Sequence, residues 1–545
     1  MSDHARHLLV DVLVRRAGLP REGLIGDLVD WLCARVLEEH VAVDLLDDPQ
    51  VEVLASNHGV RRENVARLLV EQPSLVECVT SRDEPSDSGA PLCLLDERYL
   101  SFRRLARAEW AIDQCVRDSL QSPRPWPTGF REIRGGELEQ PARRLFTRRL
   151  SLVVGGPGTG KTTLVARVLS ALESLAEPGA RLRVVLAAPT GKAAVRLMGD
   201  VLTRADEESW SAVTVDKSRS GSLHHMLGLT PRSNRARRAP DADLVIVDEA
   251  SMASLALVSQ LVTSLPPDTR LLLVGDPHQL ASVDEGSVLA DLVDAAHVTD
   301  RLTTSLTVVH RTDSRDIMSA SSSVLKGDSE TLRRLTERSS VVHLVDVVTP
   351  ELRHRLGEHA RRVGRLAHED PGRALAATRE LVVLCAHREG PGSTRWWRDV
   401  IAASHRVEFP RLPGSAFSVG EPVIVTRTQR HLNLVNGDVG IVMASSDGPF
   451  AYFGEDRHWP LEGVGYLESA WALTIHKSQG SEYADVVVSL GESAESHLLS
   501  RELVYTGLTR AKNAVTVVAT PDVLEQALGR GVSRTSALAH RVSSP

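Results

Sequence analysis

The sequence is poor in several features, and each scarcity narrows the class of protein. Its five cysteines stand singly, without a C-x-x-C pair. Buried free thiols are therefore favoured, and an iron–sulfur cluster built from the four cysteines before residue 120 is the weaker alternative. No apolar run approaches the length of a membrane span, and the N-terminus has no signal-peptide core. These absences predict a cytoplasmic protein that does not bind a membrane.

Lysine is also scarce, because only six of the 64 basic residues are lysine. They are Lys161, Lys192, Lys217, Lys326, Lys477 and Lys512. Lysine offers a phosphate group a compact point charge, whereas arginine offers a planar fork. A lysine kept in a sequence that otherwise uses arginine therefore supports a site that requires the ammonium group. The net charge of −7 gives no support to nucleic-acid binding by overall charge, although a local basic groove would suffice.

The pattern of apolar residues changes along the 545 residues, a length sufficient for three or four domains. Apolar residues at three- and four-residue spacing predict a mainly helical N-terminal domain, and a Pro-rich stretch then predicts a linker. Further on, short runs of Val, Leu and Ile alternate with helical stretches and predict parallel α/β sheets. These runs are 151–154, 183–189, 243–249, 270–276, 485–490 and 514–520. The predicted ranges are 1–118 for the N-terminal domain, which would dock partners, 119–136 for the linker, 137–300 and 301–530 for two α/β domains, and 531–545 for a C-terminal tail.

A small antiparallel β insertion is predicted inside the second α/β domain, at about 411–465. The segment EPVIVTRTQRHLNLVNGDVGIVMA has the pattern of two strands around Asn436-Gly437. Asn-Gly between apolar runs is a strong hairpin signal, because both residues tolerate the left-handed backbone of a tight turn.

The strongest chemical signal is the segment GGPGTGKTT, which directly follows an apolar strand and matches G-x-x-x-x-G-K-S/T. Its residues are Gly155, Gly156, Pro157, Gly158, Thr159, Gly160, Lys161, Thr162 and Thr163. Backbone N–H groups of such a loop converge on phosphate oxygens, and the following helix adds its positive end. Lys161 is predicted to reach the β- and γ-phosphates of a nucleotide, and the Thr162 hydroxyl to coordinate Mg²⁺.

Two further strands end in polar residues that suit the same chemistry. In DLVIVDEAS the apolar strand ends in Asp248 and Glu249, which predict a carboxylate for Mg²⁺ and a second carboxylate that polarises the attacking water. In LLLVGDPHQL the apolar strand is followed by Gln279, which is predicted to sense the γ-phosphate. Thr162 and Asp248 together are the predicted metal ligands.

Seven segments resemble, in their order along the chain, the motifs of superfamily 1 helicases. They are GGPGTGKTT (155–163), APTGKAA (188–194), SLHHMLG (222–228), VDEAS (247–251), GDPHQLASVDEGSVL (275–289), ALTIHKSQGSEY (472–483) and LVYTGLTRAK (503–512). The residues within these motifs are similar to those of RecD-like helicases, for which HKSQGSE followed by YTGLTRA is typical. The resemblance covers about residues 137–530, where it includes 383–392 outside the motifs, and extends weakly into the N-terminal region at 90–109.

The resemblance implies two RecA-like P-loop NTPase domains, an SH3-like form for the β insertion, and ATP with Mg²⁺ in the cleft between the domains. It also implies that Gln140 reads adenine and that Arg311 and Arg510 reach the γ-phosphate as arginine fingers. The family commonly has Tyr-Arg-Phe where this chain has His310, Arg311 and Thr312. An aromatic contact with the nucleotide is therefore not carried over to this position.

Two groups of residues resemble segments that contact the DNA backbone, one group on each α/β domain. They are Pro189, Thr190, Gly191, Lys192, His224 and His225 on the first domain, and Thr474, His476, Lys477, Gln479 and Gly480 on the second. For the two histidines, packing in the core is an equal alternative.

Two more features have open interpretations. Four arginines stand where the family has a short hairpin, at about 229–241, and contact with a displaced strand and a solvated basic loop are equal alternatives. They are Arg232, Arg235, Arg237 and Arg238. Trp396 and Trp397 have the chemistry to stack on bases, but core packing or a partner surface is favoured.

The resemblance implies an ATP-driven DNA helicase that moves 5′ to 3′ along a single strand. It would be one subunit of an exodeoxyribonuclease V type machine with RecB-like and RecC-like partners, acting on duplex ends in double-strand break repair and homologous recombination. Nuclease activity is expected in a partner. A freestanding RecD-like helicase, whose relatives have a longer N-terminal region, and a regulatory ATPase subunit that does not translocate are the alternatives. RNA as the substrate also stays open.

Overall fold

The structure is a computed structural model. It describes residues 3–230, 236, 240–282, 284–307, 315–446, 448–454, 457–492, 496, 498–532 and 534–543.

The N-terminal part of the chain combines helices with a four-stranded sheet of order β1-β4-β3-β2. Its elements are α1 (Asp3–Arg16), α2 (Leu24–Leu37), β1 (Ala42–Asp44), α3 (Pro49–Asn57), α4 (Val65–Val70), β2 (Val76–Val79), β3 (Leu92–Leu95) and β4 (Tyr99–Phe102). Helices predominate, as predicted, but the sheet was not predicted. Its strands are three or four residues long, and β3 is buried along its whole length, so no polar–apolar alternation marks it.

The first α/β domain is built on a seven-stranded parallel sheet. Its elements, in chain order, are α5 (Arg103–Gln121), α6 (Glu139–Thr147), β5 (Leu150–Gly155), α7 (Lys161–Ser174), β6 (Leu182–Ala188), α8 (Gly191–Glu207), β7 (Val213–Val215), β8 (Gly221–Ser222), α9 (Leu223–Met226), β9 (Leu244–Val247), α10 (Leu255–Ser264), β10 (Arg270–Gly275), α11 (Val288–Asp294), α12 (Ala296–Leu302) and β11 (Thr303–Leu306). The strand order is β11-β5-β10-β9-β6-β7, with β8 beside β6.

Helices cover both faces of this sheet. Leu244 and Ile246 of β9 point into a core with α6, α7 and α8, whereas Val245 and Val247 point into a second core with α5, α10 and α11. Burial on both faces explains why the strands read as continuous apolar runs in the sequence. The carboxyl ends of β5, β9 and β10 consequently lie side by side, which is where a parallel sheet places its ligand-binding loops.

The second α/β domain has a five-stranded parallel sheet of order β12-β21-β20-β13-β19. Its elements are α13 (Arg315–Lys326), α14 (Ser329–Thr336), β12 (Val342–Val345), α15 (Pro350–Glu369), α16 (Pro371–Ala377), β13 (Leu381–Cys385), α17 (Thr394–Arg406), β14 (Pro422–Val425), β15 (Val439–Ser445), β16 (Gly448–Tyr452), β17 (His458–Pro460), β18 (Leu467–Ser469), β19 (Ala472–Thr474), β20 (Tyr483–Ser489), α18 (Arg501–Leu508), β21 (Ala511–Val518) and α19 (Pro521–Gly529). A last helix, α20 (Leu538–Ser543), follows outside this domain. Thr349 and Thr520 cap α15 and α19 through their hydroxyl groups, each followed by proline at the first helical position.

The β insertion is a five-stranded antiparallel sheet of order β17-β16-β15-β14-β18. The predicted pairing of β14 with β15 is confirmed, with Ile424 opposite Val439. Their connection is the longer loop 426–438 rather than a two-residue turn, because an inner pairing of Gln429 with Leu434 extends it. The SH3-like form of the insertion stays a prediction.

Helix α5 and the end of the chain both depart from the predicted domain layout. The predicted boundary at residue 118 falls inside α5, which packs on α10 in the core of the first α/β domain. The Pro-rich stretch also lies against this domain, since Arg124 N donates to Thr147 O at 2.8 Å. The spacing of apolar residues does not show to which domain α5 belongs, because an amphipathic helix can pack against either of two adjacent cores.

The predicted C-terminal tail lies against the N-terminal domain and the first α/β domain. We call residues 530–532 and 534–543 the C-terminal strap. Its helix α20 packs on α5 and α11, and the amide groups of Val41 and Ala42 donate to Thr535 O at 2.9 and 3.1 Å. The strap therefore contacts the N-terminal domain and the first α/β domain, whereas α19 before it belongs to the second.

Four of the five cysteines are buried, as predicted, and Cys78 is exposed. Burial raises the pKa of Cys33 to about 11 and that of Cys93 to about 12, so these thiols stay protonated at neutral pH.

Among the described helices, none combines the length and the apolar character needed to cross a membrane.

Candidate active site

The loop after β5 has the shape that phosphate binding requires. Gly158 and Gly160 have φ angles of 73° and 81°, a left-handed backbone that disfavours a side chain. The Thr159 hydroxyl closes the loop by donating to Gly156 O at 2.8 Å. Helix α7 then begins at Lys161, so its positive end points into the loop.

The predicted phosphate and metal ligands lie together at the start of α7. Lys161 Nζ donates to Gly155 O at 2.7 Å and to Gly156 O at 3.1 Å, which holds the ammonium over the loop. Thr162 Oγ1 donates to Asp248 Oδ2 at 3.1 Å. A hydroxyl and a carboxylate at this separation fit Mg²⁺, which takes oxygen ligands and keeps places for water and phosphate oxygens.

Two carboxyl groups follow β9 at the floor of the site. Burial and the neighbouring charge of Glu249 raise the pKa of Asp248 to about 6, against the opposing effects of Lys161 and Thr162. Glu249 has a φ of 53°, a strained backbone for a residue with a side chain. Such strain is typical of active sites, where a side chain must be held in one place.

A cavity of about 630 Å³ lies between the two α/β domains and joins these groups. Of the predicted residues, its lining includes Pro157, Gly158, Thr159, Gly160, Lys161, Thr162, Thr163, Asp248, Glu249, Gln279 and Arg510. Arg510 comes from the second domain, and its guanidinium is positioned by Thr506 O at 3.1 Å and Ser481 O at 3.4 Å. The cavity is thus faced by cations from both domains.

Sequence reasoning missed an ion pair across this cavity. Arg196 on α8 lies 3.4 Å from Glu482 of the second domain, and Lys512 lies 3.2 Å from the same carboxylate. Glu482 lies inside the recognised motif 472–483 and Arg196 lies two residues after the motif 188–194, so opposite charge near two motifs was the available signal.

Some predicted residues are not brought into the site. Gln140 is exposed on α6 and does not line the cavity, whereas its neighbours Glu137 and Pro141 do. Arg311, with His310 and Thr312, lies outside the described residues, and so do the arginines predicted for the short hairpin.

Gln279 belongs to a buried network between the domains. Its Nε2 donates to Asp276 Oδ2 at 3.1 Å, and the hydroxyl of Tyr505 donates to the same oxygen at 2.8 Å. Burial and the charge of Asp276 raise the pKa of Tyr505, so its hydroxyl stays a donor. Neither Asp276 nor Tyr505 was predicted as a site residue, although both lie within recognised motifs.

The same loop contacts the predicted strand-binding segment of the second domain. Leu280 N donates to Thr506 Oγ1 at 3.0 Å, and Gln479 Nε2 donates to Leu280 O at 2.9 Å. Residues 276–280 therefore connect the nucleotide cavity with Gln479 through direct hydrogen bonds.

The predicted strand contacts of the first domain lie around α8 and α9. Thr190 caps α8 through its hydroxyl. Burial, together with the charge of Arg379, lowers the pKa of Lys192 to about 8. Pro189 beside Thr190 is half-buried. His224 and His225 are exposed on α9, so the core-packing alternative is wrong for both.

Lys192 is covered by the β insertion. Its Cδ would lie 3.8 Å from a Cβ atom placed on Gly437, and Val435 lies against Gly191. In this arrangement the insertion loop closes over the start of α8.

The predicted strand contacts of the second domain form a second group. Thr474 is buried at the end of β19, and its Oγ1 accepts from Lys477 N at 3.3 Å. Lys477 Nζ lies 3.0 Å from Glu468 Oε2. Burial, and then the charge of Arg388, lowers the pKa of His476.

Trp396 and Trp397 pack against other side chains of the second α/β domain. Trp397 is fully buried, which contradicts base stacking by this ring and supports the favoured core packing. Trp396 is half-buried, meets Trp397 edge-on with ring centroids 4.9 Å apart, and lies 5.5 Å from the guanidinium of Arg353.

Comparison with known proteins gives consistent matches along the chain. Residues 140–346 match the family model of an AAA domain, and residues 469–518 match that of a UvrD-like helicase C-terminal domain. The RecBCD enzyme subunit RecD of Mycobacterium tuberculosis is 37% identical over 485 residues, which cover 83% of this chain and 82% of that protein. The subunit RecD of Mycolicibacterium smegmatis is 37% identical over 464 residues, covering 79% and 81%.

A third relative is longer. The ATP-dependent RecD2 DNA helicase of Deinococcus radiodurans is 31% identical over 469 residues, which cover 82% of this chain but 59% of that helicase.

Proposed function

The chain belongs to the RecD family of helicases, and we propose that it hydrolyses ATP in the cleft between its two α/β domains and thereby moves along single-stranded DNA. One observation carries the proposal: Lys161 of the first domain and Arg510 of the second line the same cavity. A nucleotide that contacts both would hold the domains together more tightly than its hydrolysis products, which gives a ligand the differential affinity that domain motion requires.

The side chains have separate tasks in hydrolysis. Backbone N–H groups of the loop and Lys161 would bind the phosphates, while Thr162 and Asp248, which lie within hydrogen-bond distance of each other, would hold Mg²⁺. Mg²⁺ held there would supply positive charge that stabilises the phosphates. Glu249 accepts a proton from the attacking water as the bond between the γ-phosphorus and the bridging oxygen breaks, releasing ADP and phosphate. Arg510, with Arg311 as the proposed second arginine finger, stabilises the charge on the transferred group.

The cleft is coupled to the strand contacts by the loop 276–280. Gln279 senses the γ-phosphate, and Gln479 on the strand-binding side hydrogen-bonds to Leu280 O. Lys192, Thr190 and Pro189 on the first domain and Thr474, His476, Lys477 and Gln479 on the second would grip the strand alternately. His224 and His225, both exposed, add to the first group.

Sequence similarity favours a subunit over a freestanding helicase. The RecD subunits of Mycobacterium tuberculosis and Mycolicibacterium smegmatis are 37% identical to this chain, whereas the RecD2 helicase of Deinococcus radiodurans is 31% identical. We therefore propose RecB-like and RecC-like partners in a heterotrimer that binds duplex ends, moves 5′ to 3′ with this subunit, and serves double-strand break repair. We also propose that nuclease activity belongs to a partner subunit.

The test is ATP hydrolysis by the full chain with and without oligo(dT), followed by unwinding of duplexes with a 5′ or a 3′ overhang. Strong stimulation by oligo(dT) and unwinding from the 5′ overhang are expected. Basal turnover that DNA does not change would favour the regulatory ATPase subunit, and unwinding from the 3′ overhang would reverse the proposed direction. Stronger stimulation by oligo(rU) than by oligo(dT) would favour RNA.

A further inference from the structure

A cavity of about 500 Å³ lies on the second α/β domain, between α17 and the β insertion. Five cations and four carboxylates line it, and two of the predicted strand contacts, Thr474 and Lys477, belong to it. The cations are Lys477, Arg388, Arg395, Arg398 and Arg406, and the carboxylates are those of Glu389, Asp399, Glu421 and Glu468. Two such cations suit a phosphodiester group once no carboxylate neutralises them.

One carboxylate occupies the centre of this arrangement. Glu468 Oε2 accepts from Lys477 Nζ at 3.0 Å and from Arg398 Nη1 at 3.1 Å. Arg398 is also anchored by its Nε, which donates to Ala472 O at 2.9 Å. The two cations thus converge on a single oxygen atom, and Arg398 would stay in place if that oxygen left.

Glu468 is well placed to leave. Its side chain is 43% exposed, whereas those of Lys477 and Arg398 are 28% and 20% exposed. Glu468 lies on β18 of the β insertion. Arg398 lies on α17, and Lys477 follows β19, both in the second α/β domain outside the insertion. Half-exposed ion pairs of this kind are weak, so an incoming phosphate can compete with the carboxylate.

We propose that Glu468 is an exchangeable counter-ion: it neutralises Lys477 and Arg398 until one phosphodiester of the bound single strand takes its position between them. This inference rests on the proposed function, because it deepens the strand contact of the second domain. Its consequence is regulatory, since the carboxylate weakens binding of the strand and so helps each cycle to release it.

The experiment compares Glu468→Gln with the wild-type full chain in equilibrium binding of fluorescent oligo(dT) at several salt concentrations. Glutamine keeps the size of the side chain and removes its charge, so oligo(dT) is expected to bind about three- to tenfold more tightly at low salt. The matched control is Glu525→Gln, which removes the carboxylate of the exposed pair with Arg333 at 3.3 Å on the same domain. This control is expected to leave binding unchanged.

Salt dependence gives the second readout. In the wild type the displaced carboxylate offsets the gain of one phosphate contact, so the slope of log affinity against log salt should steepen by about 0.7 in Glu468→Gln. A Lys477→Ala and Arg398→Ala background should abolish both the tighter binding and the steeper slope, because no cation remains to be freed.

Three outcomes separate the two proposals. Tighter binding with a steeper slope, lost in the double-alanine background, supports the exchange. The exchange alone is overturned if the wild type binds oligo(dT) but Glu468→Gln binds it equally or more weakly, with an unchanged salt slope. This outcome counts when the thermal unfolding midpoint of the variant matches that of the wild type. A wild-type chain that neither binds oligo(dT) nor is stimulated by it removes the proposed function and the exchange with it.

Discussion

The hydroxyl of Tyr505 in the second α/β domain donates a hydrogen bond of 2.8 Å to Asp276 Oδ2 in the first. The same oxygen accepts from Gln279, the predicted γ-phosphate sensor. A bond between a buried carboxylate and a donor on the other domain must change whenever the domains move apart. This pair therefore ties the position of Gln279 to the closure of the cleft.

Tyr505→Phe should reduce ATP hydrolysis in the presence of oligo(dT) by about tenfold, since a hydrogen bond to a charged group is worth about 1.5–3 kcal/mol. Basal hydrolysis should fall less, because the loop and Lys161 are untouched. Steady-state ATPase assays with and without oligo(dT) measure both. Tyr466→Phe, at an exposed tyrosine of the insertion, is the control. Equal loss of basal and stimulated rates would show that Tyr505 only supports the fold.

Lys161→Ala should lower ATP hydrolysis by about 100-fold or more, because it removes the ammonium from the phosphates. Alanine is a good helix former at the first position of α7, so the thermal unfolding midpoint should stay near that of the wild type. Lys326→Ala, at an exposed lysine in the last turn of α13, is the matched control. Turnover that DNA still stimulates in Lys161→Ala would refute the assignment of the nucleotide site.

Lys477→Ala should weaken binding of oligo(dT) and make its salt dependence shallower by about 0.7, as expected for the loss of one phosphate contact. Basal ATP hydrolysis should change less than the affinity for the strand. Fluorescence anisotropy at several salt concentrations, together with basal ATPase rates, tests this. If basal hydrolysis collapses as far as binding does, Lys477 belongs to the nucleotide site.

Arg541→Ala should destabilise the chain by about 3–5 kcal/mol, because Arg541 is fully buried beside the buried carboxyl of Glu109. Denaturant unfolding measures the loss, and Arg530→Ala, at an exposed arginine at the start of the strap, is the control.

The loss in Arg541→Ala should depend on pH. Burial raises the pKa of Glu109 above its usual 4.5, and Arg541 opposes the rise. A carboxyl whose folded pKa is raised lowers stability as pH rises above its unfolded pKa, and the variant lacks the opposing charge. The difference from wild type should therefore be larger at pH 8 than at pH 5. A loss that is the same at both values would indicate that Arg541 acts through packing alone.

The sequence was sufficient for the elements whose signal is local. The predicted runs 151–154, 183–189 and 243–249 form β5, β6 and β9, because residues buried on both faces of a sheet must be continuously apolar. The loop that ends in Lys161 was predictable because its glycines are needed for backbone geometry.

The remaining features depend on contacts between distant segments. The Tyr505–Asp276 bond joins residues whose positions in the sequence give no sign of their contact. The path of the C-terminal strap was hidden for the same reason, because Arg534 and Arg541 look like surface arginines until their buried partners are known. Gln140 was predicted by resemblance, and its exposure on α6 shows that a short motif does not fix the direction of a side chain.

The return of the C-terminal strap to the first α/β domain has a mechanical consequence. The chain enters the second α/β domain from the first and, at its end, goes back to it, where Arg534 donates to the carbonyl oxygens of Ser282 and Gly286. A domain connected to another at two separated points rotates most easily about the line through both points. Rotation of the second domain should therefore follow one axis, so that each nucleotide turnover produces the same domain movement.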